Sequence, residues 1–206
     1  MLYLGRHGST ILNPGDPEDP RDMHRGWVDA ALSNLGNISA HEMGVWFKTQ
    51  PLDFIISCPL QRNRQTADIV SEITSIPVLK LDPRLMTWNI GVFGGQLRTA
   101  ETQELLDIYQ YEIPDAKVPL GEPYDTYFSR WKDGIHYWLD KSKEHDILLM
   151  THHRNILAAP AVLWGGKSQR DGPPGPGGVV TVGNKELKIV FESPSEEKAL
   201  HGTAGA

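Results

Sequence analysis

Arginine and histidine recur in this sequence at three places where a short apolar run ends. The first is "LGRHGSTILN" (4–13), with Arg6, His7, Gly8, Thr10 and Asn13. The second, "SCPLQRNRQTA" (57–67), carries Ser57, Arg62 and Arg64, and the third, "THHRN" (151–155), carries His152, His153 and Arg154. Brought together, these residue types suit phosphoryl chemistry. Arginine's planar fork pairs bidentately with phosphoryl oxygens, and two forks from different segments would hold the group and offset charge as it develops. A neutral imidazole in line with phosphorus can attack it, giving a phosphohistidine and dividing one hard step into two. A second histidine, donating a hydrogen bond to an equatorial oxygen, would orient the group, and Gly8 would let the backbone come close. The scheme calls for neither a metal nor a cofactor.

Those residues need a scaffold that gathers them. Leu2–Leu4, Phe54–Ser57, Val78–Leu81 and Ile147–Met150 are short apolar runs without alternation, the pattern of parallel strands covered on both faces. Between them 35–48, 62–73, 101–109 and 124–141 carry helical spacing, so an α/β layered sheet is expected. Ligands of open α/β sheets sit outside the carboxyl ends of the strands, where a helix amino terminus adds donors and positive dipole. All three basic stretches follow strands. In the helix over 124–141, Tyr124, Tyr127, Phe128, Trp131, Ile135, Trp138 and Leu139 share one stripe, which reads as core. Beyond a Pro/Gly loop over 165–178, "VVTVGNKELKIVF" reads as a hairpin turning at Gly183–Asn184, and residues 193–206 read as a mobile tail after a single domain of residues 1–192.

Composition narrows the classes. With 206 residues, 39% hydrophobic and 22% charged, the chain can bury one sizeable core. A formal charge of -6 argues against a general binder of nucleic acid or anionic membranes, so anion recognition must come from a local arginine cluster. One cysteine, Cys58, excludes an internal disulfide, and no window approaches eighteen apolar residues. A soluble, cytoplasmic protein is expected, and its oligomeric state is unreadable.

The motifs together are far more specific than any one. Arg-His-Gly-x-Thr-x-x-Asn at 6–13, Gly-Trp-x-Asp-x-x-Leu-Ser-x-x-Gly at 26–36, Ser-x-Pro-Leu-x-Arg-x-x-Gln-Thr-Ala at 57–67 and "THHRN" resemble the histidine phosphatase superfamily, the phosphoglycerate mutase-like family, in its order from residue 2 to about 160. The resemblance implies a single α/β/α sandwich around a mostly parallel sheet. It implies His7 as nucleophile, Arg6, Arg62 and His152 as phosphate clamp, and Asn13 in the same pocket with Thr10 and Gly8. The ligand would be a small phosphorylated substrate or a phosphoprotein.

The departure lies in "RLMTWNIGVFGGQ" (84–96). The family pattern resembles Leu-x-Glu-x-x-x-Gly-x-x-Glu-Gly, whose first Glu gives its proton to the leaving oxygen; here Thr87 and Gly94 fall on the two Glu positions. Threonine has no accessible proton near neutral pH, and losing the acid could cost an alkyl ester roughly 10²–10⁴ in rate. Three readings follow. Another residue supplies the proton: His153 is preferred, because in the family's acid-phosphatase branch an Asp donor follows the second histidine, with Glu122, which matches the Glu of the family's Gly-Glu-Ser segment and so reads alternatively as a substrate-pocket residue, and His24 as further options. Alternatively, the substrate has a good leaving group. In the third reading the site binds a phosphate ligand and turns it over poorly. A mutase is less favoured, since return transfer needs excluded water and a donor acid.

Other features carry less. "GGKS" (165–168) fails as a nucleotide loop because Ala161 stands where the motif needs glycine and the segment ends a helix. Asp16, Glu18, Asp19 and Asp22 lack calcium-loop spacing and read as a solvated loop at the pocket mouth, repelling highly anionic substrates. Cys58 reads as core packing, and Arg64 and Arg154 stand between supporting and surface roles. Substrate choice would come from 14–25, 94–123 and 165–178.

Overall fold

A computed structural model describes residues 1–202 apart from residues 15, 20, 167, 169–171 and 173. Six strands form one sheet: β1 (Leu2–Arg6), β2 (Phe54–Ser57), β3 (Val78–Leu81), β4 (Ile147–Thr151), β5 (Val179–Val182) and β6 (Leu187–Phe191), in the spatial order β3-β2-β4-β1-β5-β6. The first four run parallel, and β5 and β6 add antiparallel to the edge beside β1. The apolar strands owe their lack of alternation to helices on both faces: β1 and β4 are buried at every position. β3, at the sheet edge, is largely exposed.

Side-chain alternation divides the core into two. Leu2 and Leu4 face one cluster, built with α4 (Tyr124–Lys141) and α5 (His153–Trp164). Tyr3 faces the other, built with α1 (Asn34–Phe47) and α2 (Gln61–Thr74). This is the expected three-layer α/β/α sandwich. Tyr124, Tyr127, Trp131, Ile135 and Trp138 of α4 are buried, with Phe128 and Leu139 packed at the margin, so the aromatic stripe is core. α3 (Ala100–Asp107) opens with a reciprocal cap between Thr99 and Thr102 and runs into a wider π turn over Ile108–Glu112. No helix among the described residues is long and apolar enough to cross a membrane.

Two expectations are corrected here. The tail is not free over its first part: Pro194–Gly202 form α6, packed against α1. Polar contacts hold it, for Glu42 accepts from Ser193 Oγ and from the Ser195 hydroxyl, and Glu196 is buried against Ser9. Residues 203–206 lie outside the described residues. Nor are the acidic residues 16–22 simply a solvated loop. Asp16 is buried and accepts from Ser33 Oγ at the start of α1, and Glu18 accepts the Asn34 N–H at 2.7 Å, satisfying donors a helix amino terminus leaves open. The "GGKS" segment follows the end of α5, with Lys167 outside the described residues.

Candidate active site

Sheet order does the gathering. β1 pairs with β4 so that Arg6 lies opposite Thr151, and β4 pairs with β2 so that Met150 lies opposite Ser57. The residues that follow, His7, His152 and Cys58, therefore leave the sheet at one edge. Arg62, in the first turn of α2, turns into the same place. The ring centroids of His7 and His152 are 5.2 Å apart, and the four side chains of Arg6, His7, Arg62 and His152 line a single cavity of about 620 Å³.

Hydrogen bonds fix the chemistry of each group. His7 Nδ1 lies 2.8 Å from the Gly8 carbonyl, which only accepts, so Nδ1 carries the proton and Nε2 keeps its lone pair. Arg62 Nε donates to that Nε2 at 3.2 Å. Burial, then the Arg62 charge, holds His7 well below the ordinary imidazole range, so it is a neutral base at physiological pH. His152 is pushed the same way by the same two causes. The Arg62 guanidinium is anchored by two backbone carbonyls, Val28 at 2.7 Å and Gly26 at 2.8 Å, and that of Arg6 by the Pro174 carbonyl at 2.9 Å. Arg6 Nε is buried with no hydrogen-bond partner among the described residues. Burial lowers both arginines to about 10, which leaves them charged. Two buried guanidinium groups thus share the cavity with an unprotonated ring nitrogen, an arrangement that suits a tetrahedral anion.

The family model of the histidine phosphatase superfamily (branch 1) matches residues 2–171. The chain belongs to this superfamily. Among curated relatives, a protein described as "Probable phosphoglycerate mutase GpmB" from Erwinia tasmaniensis is 25% identical over 155 residues, covering 74% of this chain and 69% of the relative. Among solved structures, a phosphoglycerate mutase from Thermus thermophilus superposes with a TM-score of 0.62 at 22% identity, over 92% of this chain and 96% of that one. A mycobacterial glucosyl-3-phosphoglycerate phosphatase gives 0.65 at 19%, over 93% and 97%. Those likenesses show the fold.

Not every expected residue of this histidine phosphatase-like site reaches the cavity. Asn13 does: its Oδ1 accepts from the backbone and hydroxyl of Thr10, leaving Nδ2 buried, unpartnered among the described residues and at the cavity wall. Thr10 is thus a support for Asn13 and does not line the cavity. Gly8 is also a correction. A Cβ there would strike the Gly36 carbonyl and approach Ser39 Oγ at 2.8 Å, so its glycine serves close packing of the loop on α1. Glu122 is displaced as well: it does not line the cavity, and its carboxylate accepts from Arg130 at 2.8 Å and from the Asn89 N–H at 2.9 Å, which ties down the 87–90 segment.

Thr87, which the motif pattern sets on the family's first Glu position, is by contrast at the cavity wall. The two histidine options for replacing that acid also line the cavity, yet neither holds an acidic proton. His153, half-buried at the first position of α5, donates from Nε2 to the Gly172 carbonyl at 2.5 Å; burial, then Arg6, lowers it to about 3. A helix amino terminus opposes its charging too. His24 bonds Thr102 Oγ1 at 2.9 Å and is lowered to about 4 by burial and Arg98.

Two groups, Arg25 and Glu196, were missed in the sequence, and Asp22 was read there only as part of the acidic loop at the pocket mouth. Arg25 lines the cavity, donates to the Leu12 carbonyl at 2.9 Å and is lowered to about 9 by burial and Arg6. Asp22 sits between Arg25 at 3.9 Å and Arg98 at 3.5 Å. Glu196 arrives from α6, accepts from Ser9 N at 3.1 Å and Ser9 Oγ at 2.8 Å, and is raised by burial. Arg154 belongs to the cavity wall, donating to Gln110 at 2.6 Å with its guanidinium over Trp88. Nothing local marks Glu196 or the ion pairs of Asp22; the motif spacing could have pointed to Arg25, which directly precedes Gly26.

Proposed function

We propose that this chain hydrolyses a phosphate monoester, or a related phosphoryl compound, through a phosphohistidine on Nε2 of His7. The observation that carries the reading is the state of that nitrogen: its lone pair is free of a proton because Nδ1–H is committed to Gly8, and Arg62 faces it. In the scheme, phosphoryl oxygens sit among Arg6, Arg62 and His152. Nε2 attacks phosphorus, the bond to the leaving oxygen breaks, and the two arginines offset the charge gathered on the equatorial oxygens. Water then attacks the phosphohistidine, releasing phosphate and restoring neutral His7.

The leaving oxygen finds neither the family's acid nor a protonated histidine beside it. With Thr87 at the family's acid position and His153 and His24 both neutral, substrates whose leaving group is stable as an anion are favoured: aryl or acyl phosphates, or a phosphohistidine. The same lack favours hydrolysis over return transfer. A small phosphorylated molecule or the phosphorylated segment of a protein would enter the cavity, and the single buried Cys58 fits work in a reducing, cytoplasmic setting.

The test is turnover of an aryl phosphate beside an alkyl phosphate, with His7→Ala as control and mass analysis of the quenched protein. Aryl turnover with one phosphoryl group on the peptide bearing His7 supports the reading. Unchanged phosphate release by His7→Ala would overturn it. Phosphate binding without turnover of either ester would favour a phosphate-ligand binding module instead.

A further inference from the structure

His152 is the ring that incoming phosphoryl oxygens meet, and its far side touches the chain's one cysteine. Cys58 Sγ lies 3.1 Å from His152 Nε2, while Arg62 NH2 lies 3.4 Å from His152 Nδ1. A guanidinium only donates. Nδ1 therefore accepts, and the ring's one proton sits on Nε2, pointing at sulfur. Both residues are buried, so each ring nitrogen depends on a protein partner. Burial pushes the Cys58 thiol up to about 12, which keeps its sulfur uncharged.

We propose that Cys58 is a positioning residue for phosphoryl binding: its sulfur takes the Nε2–H of His152 and leaves the Nδ1 lone pair, which Arg62 NH2 meets at 3.4 Å, to receive the proton of a monoanionic phosphate as that Arg62 N–H turns to a phosphoryl oxygen. The inference rests on the phosphohistidine reading above. A fully ionised phosphoryl oxygen would meet Nδ1 lone pair to lone pair. A monoanion brings the missing proton: its P–O–H bond yields the proton to Nδ1, leaving P–O⁻ hydrogen-bonded to an imidazolium whose Nε2–H stays on sulfur. No net charge enters with the transfer. The charged groups that face His152 are Arg62 on α2, Arg25 before Gly26 and Arg130 on α4, with neutral His7 beside β1. All three charges are positive, so the ring holds a proton only while the phosphate is present. Phosphate binding and proton uptake are one event.

The test uses inorganic phosphate as probe and the whole chain, in wild-type form and as Cys58→Ser and Cys58→Ala. In ¹⁵N spectra of the free wild-type protein, His152 carries its proton on Nε2, and in the phosphate complex on both nitrogens. Phosphate affinity weakens about tenfold per pH unit above the second pKa of the inorganic phosphate probe, because one proton is taken up. A serine hydroxyl also accepts Nε2–H, so Cys58→Ser keeps the tautomer and the slope. Cys58→Ala leaves Nε2–H without an acceptor: the tautomers mix, affinity near pH 6 falls roughly tenfold, and the pH slope flattens. A purely structural cysteine would lower stability and leave tautomer and slope alone. A free wild-type ring protonated on Nδ1, or an alanine variant with the parent's tautomer and slope, overturns the proposal. Should the protein bind no phosphate, the hydrolase reading falls, while the free-state tautomer, read in wild type and variants, still decides the role of Cys58.

Discussion

Arg62→Lys separates the two tasks that the structure gives to one guanidinium. Arg62 spans the Val28 and Gly26 carbonyls with its two terminal nitrogens while Nε faces His7 Nε2. A lysine keeps the charge, but its donors share one atom and cannot reach two carbonyls and the ring together. One charge-assisted bond to a backbone carbonyl is lost, worth about 2 kcal/mol. For a chain of 206 residues that corresponds to a melting temperature about 4–8 °C lower. The phosphoryl group also loses a fixed donor at its developing charge, which lowers kcat/KM by roughly 10²–10³. Thermal unfolding followed by circular dichroism and initial rates on an aryl phosphate read the two effects separately. A kcat/KM within about threefold of the parent would refute the clamp assignment. Lost activity with an unchanged melting temperature would refute the anchoring by Val28 and Gly26.

Other expectations follow from the same geometry. His153→Asn should lower aryl and alkyl turnover by the same small factor, because its imidazole is neutral at working pH; a loss confined to the alkyl ester would restore His153 as acid. Ending the chain before Pro194 removes the carboxylate that holds Ser9, and should lower the melting temperature by several degrees, about 2–4 °C for each kcal/mol lost, together with kcat; full activity in the shortened chain would refute a role for α6. Gly8→Ala should unfold or inactivate the protein, since its methyl meets the Gly36 carbonyl, and a soluble, fully active variant would contradict the close packing of loop on α1. His7, His24, His152 and His153 are all lowered below 6.5 in the folded chain. The unfolded chain then binds more protons, so stability rises with pH up to about 6.5 and is lost below it, with each group contributing up to about 1.4 kcal/mol per pH unit. Urea unfolding at pH 5.5 and 7 tests this, and equal midpoints would contradict it.

What the sequence made legible was local. Four apolar runs gave β1 to β4, and the periodicity of 35–48, 62–73 and 124–141 gave α1, α2 and α4 to within a residue. The residues placed at strand ends, Arg6, His7, Arg62 and His152, do share a cavity, because parallel strands adjacent in the sheet release their chains at the same edge. The misses are long-range. α6 has no apolar stripe to announce it: its attachment is Glu196 to Ser9 and Glu42 to Ser193, pairs more than 150 residues apart. Asp16 looked solvated because its partner, Ser33, comes from the start of α1. Glu122 looked like a pocket carboxylate, and only the tertiary contact with Arg130 shows it spent elsewhere. The π turn after α3, which brings Gln110 and Tyr111 to the cavity, leaves no mark in the helical period of 101–109.

The carbonyl anchors of Arg6 and Arg62 have a consequence for handling the protein. A carbonyl dipole orients a guanidinium without cancelling its charge, and the carboxylates of Glu196 and Glu192 offset the Arg6 charge only in part, so the cavity keeps a repulsion between like charges that a bound anion relieves. Any compact tetrahedral oxyanion is then a stabiliser of the fold as well as an occupant of the site, worth about 2.7 kcal/mol at a hundred times its dissociation constant. Phosphate buffer would protect this protein against heat and silence it at the same time.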